Sequence, residues 1–407
     1  MQRVVIIGGG PAGLMAAEII SQAGFKVDIY DAMPSVGRKL LLAGIGGLNI
    51  THSEDCTTFC QRYDANSRAR LTPLLHQFGA EQLRQWCADL GVETFIGTSG
   101  RVFPKEMKAA PLLRTWLARL KQQGVTFHPR HRWLGWQGDK VLHFQHPHGE
   151  SLAEYDALVL ALGGGSWKKL GSDGAWLPLL QAQQIAVTPL QPSNCGFLCD
   201  WSEYLKRFAG TPLKSVALSF TDLFGQCETR MGEMILTEQG IEGSLIYAFS
   251  ARLREVLNAQ EHATFTLDLL PNHSVTQVTS LLQHKPRQKT LSTYLKTRLK
   301  LDAAKVALLF ETMDKSRQHD IEHITTVLKA IPITVTATTP IDEAISTAGG
   351  VCWSALNQDL MLKPLPAVFC AGEMIDWDAP TGGYLLTACF ATGLQAGHGV
   401  VRWLRQR

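Results

Sequence analysis

The chain has 407 residues, of which 45% are hydrophobic and 18% charged, with a formal net charge of +3. That length accommodates two or three domains around a large core, and so weak a positive balance argues against a protein built mainly to bind nucleic acid. No run of eighteen or more uninterrupted apolar residues occurs, so no membrane-spanning helix is expected.

Residues 3–7 (RVVII) are β-branched and are followed by GGGPAG and a helical stretch, Leu14 to Ala23, that Gly24 stops. The start is not read as an export signal: it carries one early cation, and glycines and a proline cut its apolar run. Residues 26–30 (KVDIY) resume as a strand, completing a β-α-β unit and predicting a parallel sheet. Helices are expected over 69–90 and 109–123, then a meander of strands at 125–128, 131–136 and 140–145. Tyr155 to Leu162 is a strongly apolar strand running into Gly163-Gly164-Gly165. Beyond about residue 190, residues 213–237 alternate as antiparallel strands do, 243–258 read as a helix, and 273–330 are helical and richer in charge. Strand pattern returns at 331–339, and the chain closes with a strand, Ala367 to Cys370, a glycine turn, and a small-residue helix from Leu385 to Gly399. The two ends therefore read as one α/β domain interrupted by an insertion.

Nine cysteines are scattered at 56, 60, 87, 195, 199, 227, 352, 370 and 389. They form no Cys-x-x-Cys and have no matching histidine pairs, although Cys56/Cys60 and Cys195/Cys199 have a spacing that shares a helix face. Reduced thiols in a cytoplasmic protein are expected, with no metal site.

Gly8-x-Gly10-x-x-Gly13 leaves a buried strand and opens a helix, and Asp31 ends the second strand eighteen residues beyond Gly13. Gly8 permits the tight turn, Gly10 lets backbone approach a diphosphate, and Gly13 lets helix and strand pack closely. The helix start at Pro11 and Ala12, with the free N–H groups of Ala12 and the residues just after it, favours an anion. Asp31, followed by Ala32, suits two ribose hydroxyls. The plainer reading is a glycine-rich turn without a ligand. At the far end, Gly372-Glu373-Met374-Ile375-Asp376 follows a strand, and Thr381-Gly382-Gly383-Tyr384 opens the last helix. Two such grips at opposite ends of the chain suit one long ligand, and FAD has that shape. The start of the last helix (Gly383–Leu386) would face the flavin where charge collects on reduction, and Glu373 or Asp376 would bind ribityl hydroxyls. Their plainer reading is as loop carboxylates.

The segments IIGGGPAGLMAA, GRKLLLAGIGGLNIT, LALGGGSW, STAGGV and AGEMIDWDAPTGGYLLTACFATGLQAG resemble the BaiN/RdsA-like (YhiN) family of NAD(P)/FAD-dependent oxidoreductases over nearly the whole chain. The resemblance implies a discontinuous, glutathione-reductase-type Rossmann domain (1–190 and 340–407). Into it would be inserted a β-barrel-like domain (191–260 and 331–339) and a helical subdomain (261–330). It further implies FAD contacts at Gly8, Gly10, Gly13 and Asp31, then at Arg38, Lys39, Asn49 and Thr51. Others would fall near Trp133, at Ala161, Leu162 and Gly163, at Gly372 and Glu373, and at Gly383, Tyr384, Leu385 and Leu386. Without the family, Arg38-Lys39 reads equally as a solvated pair.

Two segments depart from the family. Where it has Gly-Gly-Gly-Arg-Cys-Asn, this chain has Gly44-Ile45-Gly46-Gly47-Leu48-Asn49, so an arginine and a thiol, a natural proton donor, are replaced. The family's Phe-Thr-His-x-Gly-Leu-Ser-Gly-Pro is matched only loosely by residues 236–244, without the His and Pro. The chain thus resembles a divergent subgroup with the same cofactor cradle.

No second complete fingerprint for a nicotinamide cofactor is present, so NAD(P)H would bind transiently over the flavin. The reaction expected is reduction of an activated C=C bond in a ring of a small molecule. Tyr384 is the leading candidate acid, with His52 and Glu373 behind it; Tyr384 also suits plain packing, and His52 a cap. Two alternatives stand beside this. One is reduction of a pyrimidine in ribosomal RNA, for which 285–305 (KPRQKTLSTYLKTRLKLDAAK) supplies seven Lys/Arg against one acid with a tyrosine among them, and the terminal VRWLRQR adds three Arg and a Trp. The other is a flavin-loaded protein without catalytic activity.

Overall fold

Four of the five residues of Arg3–Ile7 are buried, as a strand with neighbours on both sides requires. In the computed structural model, which describes residues 2–44 and 46–407, this strand is the centre of a five-stranded parallel sheet. The order is Val368–Cys370, Ala157–Leu160, Arg3–Ile7, Lys26–Asp31, Thr126–Pro129. Ile45, inside the segment that departs from the family motif, lies outside the described residues, as does Met1. Residues from both ends of the chain thus complete one sheet.

The first helix, Pro11–Gln22, begins three residues before the apolar pattern at Leu14 suggests, because proline at the first helical position needs no N–H partner and has its φ preset. The expected helix over 69–90 is two helices, Ala65–Gln77 and Ala80–Asp89. The chain breaks at Phe78-Gly79, where the Gln82 side chain accepts from Gly79 N at 3.1 Å. The meander is displaced by one strand. Thr126–Pro129 pairs in parallel with Lys26–Asp31 at the sheet edge, and the antiparallel strands are Arg132–Trp136, Val141–His146 and Gly149–Glu154. Periodicity identifies a strand but not its partner, which is decided here by the crossover helix Ala109–Gln122. Two short strands that the pattern does not announce, Thr94–Ile96 and Arg101–Pro104, pair with each other, and Arg101–Pro104 pairs on its other side with Thr51–His52.

The last helix, Tyr384–Arg405, packs on the first. A Cβ at Gly393 would stand 2.3 Å from the Ala12 carbonyl oxygen, and one at Gly397 would stand 2.9 Å from Ile19 Cβ. Small residues four apart let the two backbones meet.

The chain divides into two compact units, 2–192 with 341–407, and 193–340. In the second, a seven-stranded antiparallel sheet begins with Ile331–Val335 at one edge and ends with Ala337–Thr338 at the other. Because those two edges are consecutive in sequence, the sheet is rolled like a barrel. Residues 263–268, grouped above with the helical segment, are a strand of this sheet, and Ala263, Phe265 and Leu267 alternate inward. The helical part is Val275–Gln283, Leu291–Arg298, Ala303–Thr312 and Ile321–Lys329. Among the described residues no helix is long and apolar enough to cross a membrane.

Candidate functional site

The carboxyl ends of the parallel strands, where ligands of open α/β sheets sit, border a cleft in the first unit. Counted with the solvent in its open mouth, the space it bounds is about 1480 Å³. Its wall begins at the fingerprint. Gly8 has φ +104°, and a Cβ there would be 2.1 Å from the Ala161 carbonyl oxygen. Gly10 caps the first helix, and a Cβ on it would meet nothing within 4 Å, so this backbone is open to the cleft. Gly13 does not face the cleft: a Cβ there would stand 2.0 Å from the Gly8 oxygen, which is the close packing expected of the third glycine. Asp31 ties the wall together, Oδ2 accepting from Gly9 N and Oδ1 from Met33 N, both at 2.8 Å. Burial pushes its carboxyl above the ordinary value despite these hydrogen bonds and the nearby Arg38 charge.

Arg38 and Lys39 open the helix Arg38–Ala43 behind Gly37, whose φ of 72° turns the chain. They are not a solvated pair. Lys39 Nζ is held between Glu373 Oε2 (2.8 Å) and Ser166 Oγ (2.7 Å), and Glu373 Oε1 accepts from Thr347 N at 3.0 Å. This joins residues 334 apart in sequence. Arg38 Nε, Trp133 Nε1 and Ser172 Oγ are each buried without a hydrogen-bond partner, and all three residues line the cleft. Buried polar groups in native proteins have partners, so these three mark where a polar ligand belongs. The donors, the open glycine backbone and the helix start fit a dinucleotide such as FAD.

Of the residues expected to hold it, Gly8, Gly10, Pro11, Ala12, Asp31, Ala32, Arg38, Lys39, Trp133, Ala161, Leu162, Gly163, Gly372, Glu373, Leu385 and Leu386 line this cleft. Asn49, Thr51, Asp376, Gly383 and Tyr384 do not. Thr51 and Gly383 are a packing joint: a Cβ on Gly383 would be 2.4 Å from Thr51 Cα, and the Thr51 and Thr387 hydroxyls are 2.9 Å apart. Asp376 accepts from the Thr188 hydroxyl at 2.6 Å, so of the two carboxylates considered for the ribityl chain only Glu373 is in the cleft. Asn49 Oδ1 is buried without a partner. Where the family has its thiol, Leu48 is wholly buried, and Gly47 has φ +113°, a conformation an arginine would strain to adopt. Sequence reasoning missed Ser172, Asp173 and Trp176, which reach the cleft from a loop after the strand Ala157–Leu160; their only signal was proximity to the glycine run.

The family model described as the HI0933-like protein Rossmann domain matches residues 2–399. The chain belongs to this HI0933-like family. It is 26% identical to the 3-dehydro-bile acid delta(4,6)-reductase of Clostridium scindens over 98% of each chain. To the ribosomal RNA dihydrouridine synthase of Haemophilus influenzae it is 23% identical, covering 93% of this chain and 94% of that one. A solved 3-ketosteroid-Δ4-(5α)-dehydrogenase from Rhodococcus jostii shares the fold with a TM-score of 0.52 at 14% identity, covering 99% of this chain and 97% of that one. Family and fold make the HI0933-like chain an FAD-dependent oxidoreductase with a Rossmann α/β architecture.

Tyr384 in this HI0933-like protein is buried, and its hydroxyl donates to Glu54 Oε1 at 2.6 Å. Burial, together with the Glu54 hydrogen bond and charge, pushes the phenol far above its ordinary value. Burial raises the Glu54 carboxyl too, but hydrogen bonds from Arg62 and Tyr384 and the Arg62 charge outweigh it and hold Glu54 below its ordinary value. His52 stacks on Tyr384 with centroids 5.5 Å apart. Its Nδ1 accepts from Glu54 N (3.2 Å), which leaves Nε2 to donate to the Ser99 carbonyl (3.0 Å). The set is a brace rather than a proton donor aimed at the cleft.

Proposed function

We propose that this protein is an FAD-dependent reductase of an activated C=C bond in a ring of a small molecule, with NAD(P)H as a transient donor. The observation that carries the cofactor reading is the set of partnerless buried atoms, Arg38 Nε, Trp133 Nε1 and Ser172 Oγ, around the open backbone at Gly10. The reaction class is supported by the reductase relative that matches along 98% of both chains. Bound FAD would supply hydride transfer between the nicotinamide and the double bond. The chain's own residues do the holding. The Gly10–Ala12 backbone and Arg38 would neutralise the diphosphate, Asp31 would accept from ribose hydroxyls, and Trp133 would border the adenine. Lys39 Nζ, held between Glu373 and Ser166 in the cleft wall, would offer the bound cofactor a positive charge. Leu385 and Leu386, at the start of the last helix, exclude water from the reacting end.

Two measurements test this. Anaerobic stopped-flow on the yellow protein should show flavin bleaching by NADPH or NADH and recovery with a cyclic enone. Protein that purifies without flavin and cannot be reconstituted, or flavin that no nicotinamide reduces, would remove the reading. Tyr384→Phe should change kcat by no more than about threefold with flavin content unchanged, whereas loss of a general acid costs about 10²–10⁴-fold.

A second reading, reduction of a pyrimidine in ribosomal RNA, is favoured by the Haemophilus influenzae relative and by exposed Arg287, Lys289, Lys296, Arg298 and Lys300. The rest of that segment does not help it. Lys305 is buried with Nζ on the Leu269 carbonyl, and the Tyr294 ring is buried with its hydroxyl on the Leu281 carbonyl, so it offers no base-stacking face. Ribosomal RNA that reoxidises the reduced flavin, with binding that weakens steeply in salt, would select this reading over the first.

A further inference from the structure

Cys56 and Cys60 are the first and last residues of the short helix Cys56–Cys60, and His76 lies in the last turn of Ala65–Gln77. The four-residue spacing puts both sulfurs on one helix face, and the second helix brings an imidazole against that face. Cys56 Sγ stands 3.6 Å from His76 Nδ1, and the three ligand atoms all lie within 4.8 Å of one another. None of the three residues lines the dinucleotide cleft. Among the described residues, this is the one group of three histidine, cysteine or acidic side chains that converges so closely.

We propose that Cys56, Cys60 and His76 bind one Zn²⁺ ion through two thiolates and the imidazole Nδ1, with a fourth position open to solvent. Zinc takes sulfur at about 2.3 Å and nitrogen at about 2.0–2.1 Å in a tetrahedron, which sets S···N near 3.6 Å and S···S near 3.8 Å. The Cys56–His76 separation already has that value, and small rotations bring in Cys60. A thiol–imidazole hydrogen bond sets Cys56 beside His76 and the helical spacing sets Cys60 on the same face, and together they bring three soft ligand atoms within 4.8 Å of one another. Two thiolates and an imidazole select a soft ion over magnesium or calcium. Cys56 and His76 are exposed and Cys60 is buried, so an ion enters from solvent and meets the third ligand at the floor. Two Zn–S bonds form as the Cys56 and Cys60 thiols each release a proton to solvent, the Cys60 thiol from a value that burial pushes up to about 11. Phe59, in the same helix, packs on the Tyr384 ring with centroids 4.8 Å apart, so the ion would stiffen the support of the last helix.

The test uses the full chain, stripped of metal under reductant and titrated with Zn²⁺ against a chromophoric chelator. One equivalent should bind, and the double variant Cys56→Ser/His76→Asn should bind at least about tenfold more weakly. Both substitutions are at exposed positions and leave buried Cys60 in place. Bound zinc should also slow reaction of Cys56 with a thiol reagent while exposed Cys227 reacts as before. Equal affinity in the double variant, or zinc binding that leaves Cys56 equally reactive, would overturn the assignment. A Cys56–Cys60 disulfide that forms in air and persists in the presence of zinc would overturn it as well.

Discussion

Gly13→Ala is expected to lower thermal stability and flavin content together. The added methyl would stand 2.0 Å from the Gly8 carbonyl oxygen and 3.2 Å from its carbon, and backbone cannot swing aside as a side chain does. The first helix must move off the sheet, which costs about 3 kcal/mol or more. At roughly 2–4 °C per kcal/mol for a domain of this size, Tm should fall by about 6–12 °C. The same displacement carries the free N–H groups of the helix start away from the cleft, so the flavin-to-protein ratio should drop in the same preparation. Gly10→Ala separates the two effects. Its methyl meets no protein atom within 4 Å, so the flavin-free protein should melt where the parent does, while the methyl blocks the backbone face that the diphosphate would approach. Absorbance ratios and melting curves of the two variants decide it. A Gly13→Ala protein with full flavin and unchanged Tm would show that the third glycine is not a packing position.

Asp31→Ala is expected to weaken FAD binding by about 100-fold or more. Two ribose hydroxyls donating to a carboxylate contribute about 1.5–3 kcal/mol each, and the alanine also releases Gly9 N and Met33 N, which shape the loop. Binding should depend on pH in a defined direction. Burial raises the Asp31 carboxyl above its ordinary value of 3.8 in the ligand-free protein, and the ionised form is the one that accepts from ribose. FAD affinity should therefore fall as pH drops through that raised value, and Asp31→Ala should flatten the dependence there. The sign for stability is the opposite. A carboxyl with a raised folded value stabilises the ligand-free protein below the unfolded value, and that contribution is lost as pH rises through the folded one. Equilibrium flavin titration of both proteins across the acid range checks this, and undiminished retention in Asp31→Ala would remove the ribose assignment.

Much of the cradle is legible in the chain because its requirements are local. Gly8, Gly10 and Asp31 are demanded by backbone shape and by a short-range turn, so their spacing announces them. Trp133, by contrast, is placed in the sequence by resemblance alone, and only the tertiary structure shows its indole N–H buried without a partner in the cleft. The family likeness also drew Asn49, Thr51, Asp376, Gly383 and Tyr384 into the cofactor set. Thr51 and Gly383 meet in a packing joint, Tyr384 donates to Glu54 and Asp376 accepts from Thr188, whereas Asn49 Oδ1 is buried without a partner outside the cleft. Alternation placed a strand at 125–128, where the structure has Thr126–Pro129, but assigned it to the wrong neighbours, since a two-residue period says which faces are buried and nothing about which edge is adjacent.

By itself the sequence determined the α/β class, the dinucleotide fingerprint, the joining of both chain ends into one domain and the membership of a flavoprotein family. Each of these rests on signals confined to a few residues: glycines where a side chain would collide, apolar runs where both faces of a strand are covered. Only the tertiary structure decided that Lys39 pairs with Glu373, that the Tyr384 hydroxyl donates a hydrogen bond to Glu54, and that His76 comes to stand beside Cys56 and Cys60. Those pairings join side chains between 16 and 334 residues apart. They exist because burying the apolar faces of separate helices and strands fixes where the intervening polar side chains emerge, and no local pattern encodes that geometry.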